Sequence, residues 1–309
     1  SWTQITTTTN TYYYRVRAYT EHVNSGYSNT ASTTTYGPPS PPSNLVASTA
    51  SSTKIDLSWT DNSNNEDGFK IERKTDETSF SQIATVGANA TSYPNTGLLN
   101  GERYYYRVRA YNTYGNSDYS NTANATTSLP APSSLSASSY SSSQIRLYWS
   151  NNSNNEDGFK VERKPYGGSW TQITTTTNTY YYDSGLNPNT KYYYRVRAYT
   201  EHINSGYSNT DDAATRPGAP TLNTASPGDH KVTLYWTAPS GGAAGYEVYY
   251  YRLNPFQYWL IDVGDVTNKT ITGLTNGVTY YFRVRGYNQD HEAGSYSNTK
   301  SATPQGGCW

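Results

Sequence analysis

The chain has 309 residues and a formal net charge of zero, because 23 acidic residues balance 23 basic ones. Nucleic acids and anionic membranes are bound by concentrated positive charge, so this balance argues against both as partners. The sequence contains no run that approaches the roughly 18 consecutive apolar residues needed to span a membrane. We therefore expect no membrane-spanning segment in this sequence.

The composition favours an all-β protein. There are 34 Tyr but only 5 Phe and no Met. Tyr and the abundant Thr favour strands, whereas Asn, Ser, Gly and Pro favour turns. Cys308 is the only cysteine, which excludes a disulfide within the chain. An odd cysteine indicates either pairing with another molecule or a free thiol.

The amino end is a partial copy of a later segment. Residues 1–11 recur as residues 169–179, and residues 12–30 recur as residues 192–210 with one conservative change. In the later copy residues 180–191 lie between the two blocks, and the amino-terminal copy has no counterpart of them. The chain therefore opens with an incomplete module.

Three longer repeats follow, each with the same series of predicted strands. Each has an alternating strand that ends in Trp, a strand that begins with Gly and an aromatic residue, and a Tyr-rich strand. In the first repeat their sequences are KIDLSW, GFKIERK and RYYYRVRAY. The first arginine of the Tyr-rich strand recurs at equal intervals, as Arg107, Arg195 and Arg283. Turn residues separate the strands at the spacing typical of a β-sandwich.

These motifs resemble the fibronectin type III domain, in the form found as tandem copies in secreted, multi-domain prokaryotic proteins. The family pattern has a strand-B Trp, a strand-C aromatic residue, a strand-F Tyr-x-aromatic-x-Val-x-Ala and a closing Ser-Asn-Thr. The resemblance implies an all-β fold of tandem antiparallel, immunoglobulin-like β-sandwiches. It places an incomplete module at residues 1–36, complete modules at 41–127, 131–216 and 219–304, and a tail at 305–309.

The resemblance also implies which side chains form the structural core. The strand-B tryptophans would lie between the two sheets of each module. The first Tyr of each strand F would be a tyrosine-corner residue, whose hydroxyl bonds the backbone near the preceding turn. These expected core residues are Trp59, Trp149, Trp236, Tyr104, Tyr192 and Tyr280.

Alternation along strand F separates an inner face from an outer face. Tyr105, Arg107 and Arg109 are expected on the outer face of the first complete module. Lys70 and Glu72 on strand C would lie across from them and form exposed ion pairs, worth roughly a few tenths of a kcal/mol each. A solvated surface is the simplest interpretation of these charges.

The outer-face tyrosines are candidate surface contacts. Tyr gives a large contact area at a small cost in entropy, so these rings could stack on sugars or on neighbouring subunits. The β propensity of Tyr would also explain each position taken singly. The four equivalent residues are Tyr13, Tyr105, Tyr193 and Tyr281.

The module at residues 1–36 lacks strands A, B and C and, with them, its core Trp. A hairpin without a second sheet leaves one face and one strand edge uncovered. We therefore expect self-association through this incomplete module, with the missing strands supplied by another copy or by the rest of a longer array. Two alternatives stay open: the chain is a window of a longer polymer, or the missing block is an assembly error at the repeated Tyr-Tyr-Tyr.

One polar loop is a candidate metal site. Residues 61–68 combine Asp61, Glu66 and Asp67 with Asn and Ser side chains, and Ca²⁺ is the cation that suits such ligands. The spacing is not that of a helix-loop-helix calcium site, and Asn151 replaces Asp61 in the next repeat. A hydrogen-bonded turn is the simpler interpretation.

Four positions fit the N-glycosylation pattern Asn-x-Ser/Thr. Chance matches are expected in a chain so rich in Asn, Ser and Thr, and a bacterial source would usually leave them bare. The four positions are Asn89, Asn124, Asn151 and Asn268.

Catalysis has little support in the sequence. The 4 histidines stand apart from one another, and there is no nucleophile elbow, His-x-x-x-His motif or Gly-rich phosphate loop. We therefore expect neither enzymatic activity nor a cofactor.

The sequence as a whole predicts a non-catalytic structural protein, extracellular or on the cell surface. The favoured version is a subunit or repeat window of a surface filament or adhesive fibre. The alternative is a spacer or carbohydrate-contacting region of a large secreted enzyme. A receptor-type adhesion module has less support, because Arg-Gly-Asp is absent. The expected partners are other copies of the chain, polysaccharide or a cell surface.

Overall fold

The computed structural model describes residues 10–306, and this part of the chain is built of β-strands, turns and loops. Residues 1–9 of the predicted first module lie outside the described residues, as does Cys308. Nowhere in the described part is there a helix long and apolar enough to cross a bilayer. The prediction of an all-β fold made of antiparallel sheets is confirmed.

The first described element is a two-stranded antiparallel sheet. Strand β1 (Asn10–Tyr14) pairs with β2 (Ala31–Thr35), so that Tyr12 lies opposite Thr33. In the connecting segment the hydroxyls of Ser28 and Ser25 accept the N–H groups of Val16 and Ala18, respectively. We call residues 10–35 the amino-terminal hairpin.

The first complete module is a sandwich of two sheets. One sheet has the order β3-β4-β7, and the other has the order β10-β8-β5-β6 with the short β9 paired to β8. The strands are β3 (Ser43–Thr49), β4 (Lys54–Thr60), β5 (Gly68–Lys74), β6 (Ser81–Gly87), β7 (Ser92–Thr96), β8 (Arg103–Asn112), β9 (Gly115–Asn116) and β10 (Ala123–Thr126).

The second complete module repeats this topology. Its sheets have the orders β11-β12-β15 and β14-β13-β16-β17. The strands are β11 (Ser133–Ser139), β12 (Gln144–Ser150), β13 (Gly158–Pro165), β14 (Thr171–Thr176), β15 (Tyr180–Ser184), β16 (Lys191–Tyr199) and β17 (Asp211–Ala214).

The third complete module has sheets of the orders β18-β19-β22 and β21-β20-β23-β24. Its edge strand β21 is longer than the equivalent strands of the other two modules. The strands are β18 (Thr221–Gly228), β19 (Lys231–Thr237), β20 (Gly245–Leu253), β21 (Phe256–Gly264), β22 (Asn268–Thr272), β23 (Tyr280–Tyr287) and β24 (Lys300–Ala302).

A tryptophan from one sheet packs against an aromatic ring of the other in every complete module. Because side chains alternate along a strand, the residues that point between the sheets are buried while their neighbours are not. The ring centroids are 5.6 Å apart in each pair. The pairs are Trp59 with Phe69, Trp149 with Phe159, and Trp236 with Tyr246.

The first tyrosine of each Tyr-rich strand is buried and bonds the backbone of the preceding turn. Its hydroxyl accepts a hydrogen bond from the N–H of the residue five positions earlier, which ties the turn to the start of the strand. The bonds run from Leu99 to Tyr104 (3.0 Å), from Asn187 to Tyr192 (3.2 Å) and from Thr275 to Tyr280 (3.2 Å).

We predict that Trp149→Ala destabilises the second complete module by about 3–5 kcal/mol, because the substitution leaves a cavity between the sheets. Chemical denaturation followed by circular dichroism should show one part of the unfolding transition moved to lower denaturant. Tyr166→Ala in the same module is the control, since that ring is 80% exposed. If both variants lost the same small amount of stability, the conclusion that Trp149 is essential to the packing of its module would be contradicted.

Candidate interaction surface

A buried carboxylate joins strands β5 and β8 on the outer face of the first complete module. The Cα atoms of Glu72 and Arg107 lie opposite each other in the antiparallel pair. Arg107 donates to one carboxylate oxygen of Glu72 through Nε (2.9 Å) and Nη2 (2.7 Å). The other oxygen accepts the hydroxyl of Tyr119 (2.5 Å) and lies 3.4 Å from Nη2 of Arg109. We call this arrangement the carboxylate site.

The same site recurs in the second complete module. Arg195 donates to Glu162 through Nε (2.8 Å) and Nη2 (2.6 Å). The hydroxyl of Tyr207 donates to the other oxygen at 2.6 Å, and Nη2 of Arg197 lies 3.6 Å from that oxygen. The third module has Tyr249 at the position of Glu72, and its ion pair is a different one: Nε of Arg285 lies 2.6 Å from Glu247, which takes the repeat position of Lys70.

The ionised form of the glutamate is favoured in the carboxylate site. Burial by itself would raise the pKa of Glu72, but the hydrogen bonds from Tyr119 and Arg107 and the arginine charges outweigh it, so that the pKa is lowered. The pKa of Glu162 is lowered in the same way, with Tyr207 and Arg195 as the donors.

The prediction that Glu72 forms an exposed ion pair on a solvated face is wrong. Only 6% of Glu72 is exposed, because the ring of Tyr119 and the guanidinium of Arg107, which stacks on that ring, cover it. Lys70 lies opposite Arg109 and donates instead to Asn116, outside the site. In every repeat a Tyr precedes the Ser-Asn-Thr motif, and this Tyr is the sequence feature that could have predicted the burial of the glutamate.

The amino-terminal hairpin holds the same arginines and tyrosine, but no glutamate is paired with them among the described residues. The Cζ atoms of Arg15 and Arg17 lie 3.8 and 5.1 Å from the ring centroid of Tyr27. The equivalent distances to Tyr207 in the second complete module are 3.7 Å and 4.9 Å. No carboxylate among residues 10–306 forms an ion pair with either arginine of the hairpin.

The inner face of the hairpin is uncovered. Tyr14 is 56% exposed and Val16 is 72% exposed, whereas their counterparts Tyr194 and Val196 in the second complete module are fully buried. The local sequence is the same in the two places. The difference arises because strands equivalent to β12 and β13 are absent from the described part of the hairpin.

The four outer-face tyrosines differ in their surroundings. Tyr13 is 72% exposed, but its three counterparts are half-buried. Nζ of Lys74 lies 4.5 Å from the ring centroid of Tyr105, and Nζ of Lys164 lies 5.4 Å from that of Tyr193. The ring of Tyr251 stacks on Tyr281 with centroids 5.1 Å apart. Of this set, only Tyr13 presents most of its ring to solvent.

A tyrosine patch that the sequence analysis did not single out lies on the second complete module. Its four rings are between 38% and 53% exposed. The register of β12 and β15 brings them together, since Tyr148 lies opposite Tyr180 and its hydroxyl is 3.2 Å from that of Tyr182. The tyrosine patch consists of Tyr140, Tyr148, Tyr180 and Tyr182.

The polar loop at residues 61–68 is closed by hydrogen bonds from its own side chains. Asp61 accepts the N–H of Ser63, and Glu66 accepts the hydroxyl of Ser63 (2.7 Å) and the N–H of Asn89 (3.1 Å). Burial would raise the pKa of Glu66, but these hydrogen bonds lower it on balance. Asp67 is exposed. Across the described residues, no three His, Cys, Asp or Glu side chains form a group suited to a metal.

The four asparagines that fit the glycosylation pattern all have exposed side chains. Asn89 follows β6, Asn124 lies on β10, and Asn268 begins β22. Asn151 lies just after β12, at the start of the loop equivalent to residues 61–68.

We predict that Glu162→Gln removes a pH-dependent contribution to stability. Because the folded-state pKa of Glu162 is lowered, its contribution is present above the ordinary pKa of about 4.3 and is lost as pH falls through the folded-state value. The variant should therefore be less stable than the wild type by about 1.5–3 kcal/mol at neutral pH and by much less near pH 3.

Urea denaturation at the two pH values measures this difference. The exposed Glu201→Gln in the same module is the matched control and should differ little from the wild type at either pH. A constant difference between wild type and Glu162→Gln across this pH range would contradict the lowered pKa.

Comparison with known proteins agrees with the repeated sandwich. The model of the family described as fibronectin type III domain matches residues 40–126, 130–211 and 218–301, which together are more than half of the chain. The three matched segments contain the three complete modules with their tryptophans and Tyr-rich strands.

Relatives with the same repeats come from bacteria and vertebrates. The chain is 27% identical over 302 residues to Exoglucanase B of Cellulomonas fimi, which covers 87% of this chain and 26% of that protein. It is 26% identical over 288 residues to Contactin-6 of Rattus norvegicus, which covers 82% of this chain and 28% of that protein. The chain thus spans about a quarter of the length of these relatives.

A solved structure is also similar. The FN1–FN3 domains of chicken CNTN1 are 20% identical and cover 87% of this chain and 100% of that chain, with a TM-score of 0.35. As the sequence predicted, the chain belongs to the fibronectin type III domain family and contains three copies in tandem.

Proposed function

We propose that the chain is a non-catalytic structural array of an extracellular or cell-surface protein. In this proposal it associates through its amino-terminal hairpin into a surface filament or adhesive fibre. The observation that carries the proposal is the uncovered inner face of the hairpin, where Tyr14 and Val16 are exposed. The equivalent residues of a complete module form part of its core.

The free energy of association would come from two sources. Burying apolar side chains is worth roughly 25 cal/mol per Å² removed from water, and the inner face of the hairpin offers Tyr12, Tyr14 and Val16 for this. Within the described residues β1 pairs only with β2, so no described strand lies along its other edge. Such an edge is a template for pairing with another chain.

The position of the hairpin suits a repeating assembly. It precedes three complete modules whose strands are arranged in sandwiches, so its surface has no duplicate within the described chain. A contact between this surface and a different surface of the next copy is heterologous, and heterologous contacts that do not close into a ring propagate into filaments.

The tyrosine patch supports the alternative function, a spacer or carbohydrate-contacting region of a secreted enzyme. Aromatic rings give large contact areas at small cost in entropy, and the hydroxyls of Tyr148 and Tyr182 lie at the surface as hydrogen-bonding groups. The match to an exoglucanase is in keeping with this alternative.

We predict that the full chain sediments as species larger than a monomer as its concentration rises, and that Val16→Asp abolishes this behaviour. The substitution places a charge on the uncovered face, where burial in an interface would be costly. Sedimentation velocity measures the effect, and electron microscopy of the assembled material should show fibres with a regular repeat.

The matched control is Tyr166→Asp, which places the same charge at an exposed position of a complete module. It should assemble as the wild type does. A wild-type chain that stays monomeric at every concentration would overturn the proposed assembly.

The alternative function makes a different prediction. If the tyrosine patch binds polysaccharide, the wild-type chain should co-sediment with insoluble polysaccharide, and the double variant Tyr148→Ala, Tyr182→Ala should stay in solution. Stacking on an exposed ring contributes on the order of 1 kcal/mol beyond area burial, so loss of two rings should weaken binding by roughly 30-fold. Binding that is equal in the two proteins would rule out the patch as the contact.

A further inference from the structure

We propose that the tyrosine patch, together with Arg146 and Arg216, binds a polysaccharide whose sugar rings carry carboxylate groups. The inference rests on the alternative function above, because it names the class of polysaccharide that this surface of the second complete module would take. It does not depend on assembly through the amino-terminal hairpin.

Arg146 lies in the middle of the tyrosine patch. On the outer face of the sheet it is opposite Ser138 of β11 and opposite Tyr182 of β15. It is exposed, and its Nε donates to the hydroxyl of Ser138 at 2.8 Å. No carboxylate among residues 10–306 forms an ion pair with it. The terminal nitrogens of its guanidinium are therefore available to a ligand that lies on the rings.

A second arginine lines a cavity beside the patch. The N–H of Arg216 donates to the C=O of Ser141 at 3.1 Å, which holds this residue next to the turn between β11 and β12. The cavity has a volume of about 200 Å³, and its lining includes Tyr140, Ser142, Arg216 and Ser295. In the part of the chain that the structure describes, Nε of Arg216 has no hydrogen-bond partner and its guanidinium has no ion-pair partner.

Tyr140 belongs both to the tyrosine patch and to the lining of the cavity. Its ring packs edge-on against that of Tyr182, with centroids 5.8 Å apart. Tyr182 packs edge-on against Tyr180 at 6.2 Å, and its hydroxyl lies 3.2 Å from that of Tyr148. The four rings and the two arginines therefore form one continuous surface, which we call the tyrosine–arginine surface.

The charge of this surface selects an anion. The only Asp or Glu on strands β11, β12 and β15 is Asp183. It is 3% exposed, lies opposite Ile145 on the inner face and accepts hydrogen bonds from Arg163. Positive charge that no carboxylate of the same sheet offsets attracts anions to the outer face.

The combination is specific to the second complete module. At the position of Arg146 the first module has Asp56 and the third has Thr233. At the position of Arg216 the first module has Ser128, which makes the equivalent backbone hydrogen bond. The positions of the two β15 tyrosines hold Ser and Pro in the first module and Asn and Thr in the third. The sandwich therefore forms without these side chains, which favours a role for them in binding.

The rings favour a saccharide as the body of the ligand. A tyrosine offers an apolar ring and a hydroxyl at its tip, which suit the C–H groups and the hydroxyls of a sugar. Nucleic acid also stacks on aromatic rings, but it binds in a groove of positive charge that follows its backbone. Here two arginines lie among the rings, in a chain whose formal net charge is zero.

The chain itself shows how an arginine and a tyrosine hydroxyl hold a carboxylate. In the second module Arg195 and the hydroxyl of Tyr207 both donate to Glu162. Arg146 and Tyr182 offer the same two kinds of donor at the surface. Guanidinium binds a planar carboxylate through two parallel N–H groups. We therefore commit to a polyuronate, a polysaccharide with a carboxylate on each sugar, as the ligand.

Fluorescence anisotropy of a labelled oligogalacturonate, titrated with the full chain, tests the inference. We expect saturable binding that weakens as salt is raised. Arg146→Gln and Arg216→Ser should each weaken binding by about tenfold or more, because each removes a charged donor. Ser is the residue that the first module has at the position of Arg216, so this variant carries a side chain that the fold accepts.

Arg283→Gln is the matched control, since it removes the same charge from the third module, where Arg283 donates to Thr299. It should leave binding unchanged. If neither Arg146→Gln nor Arg216→Ser bound more weakly than this control, the inference would be overturned.

Three further probes of matched length test the class of ligand: a neutral dextran oligomer, its sulfated form and single-stranded DNA. Each should bind more weakly than the oligogalacturonate, and the neutral oligomer should be insensitive to the two arginine substitutions. Equal binding of the neutral oligomer would show that charge plays no part. Tighter binding of the sulfated oligomer or of the DNA would assign the surface to a different ligand, and either result would overturn the inference.

The double variant Tyr148→Ala, Tyr182→Ala separates this inference from the alternative function on which it rests. If that variant loses binding to neutral polysaccharide while the arginine variants bind every saccharide as the wild type does, the alternative function stands and the inference fails. A wild-type chain that binds neither neutral nor acidic polysaccharide would contradict both. Sedimentation of the chain without saccharide reports on the proposed assembly independently of these results.

Discussion

A β-sheet in water is stable when one of its faces is buried, and this requirement governs the whole chain. Each complete module meets it with a second sheet, whose tryptophan packs on an aromatic ring of the first. The amino-terminal hairpin presents the same Tyr-rich sequence with no second sheet among the described residues. The same local sequence therefore occurs in two environments. Tyr194 and Val196 are fully buried in the second complete module, whereas Tyr14 and Val16 are largely exposed in the hairpin. The contrast is the physical origin of the proposed function.

The outer face of each module carries a second, polar connection between strands. Glu72 and Glu162 are as inaccessible as core residues, yet they lie on the solvent side of their sheets, under a tyrosine and two arginines. A buried charge is tolerated only when it is paired and hydrogen-bonded, and here every carboxylate oxygen has a donor. The inner aromatic pair thus links β5 to β4 of the opposite sheet, and the outer carboxylate site links β5 to its neighbour β8 in the same sheet.

Much of the fold could be predicted from the sequence, because it depends on short-range patterns. The alternation in KIDLSW and RYYYRVRAY, the turn residues between strands and the equal spacing of Arg107, Arg195 and Arg283 together indicate repeated sandwiches. The family assignment and the all-β fold followed from them and are confirmed.

The surface was harder to predict, because it depends on which residues meet across strands and loops. The burial of Glu72 requires Tyr119, which comes from a segment beyond β9 and folds over the sheet. The tyrosine patch requires the register that sets Tyr148 opposite Tyr180. Period-two alternation says which side of a strand a residue is on, but it does not say what lies above that side.

The central claim is that the open edge of β1 is filled by a strand of another chain when the protein assembles. Hydrogen–deuterium exchange of the β1 amides, compared with those of the equivalent strand β16, tests it most directly, since unpaired edge amides exchange far faster than amides within a sheet. In dilute protein the β1 amides on the open edge should exchange fast, and in assembled material they should be protected as those of β16 are. Fast exchange at β1 in fully assembled material would contradict the account.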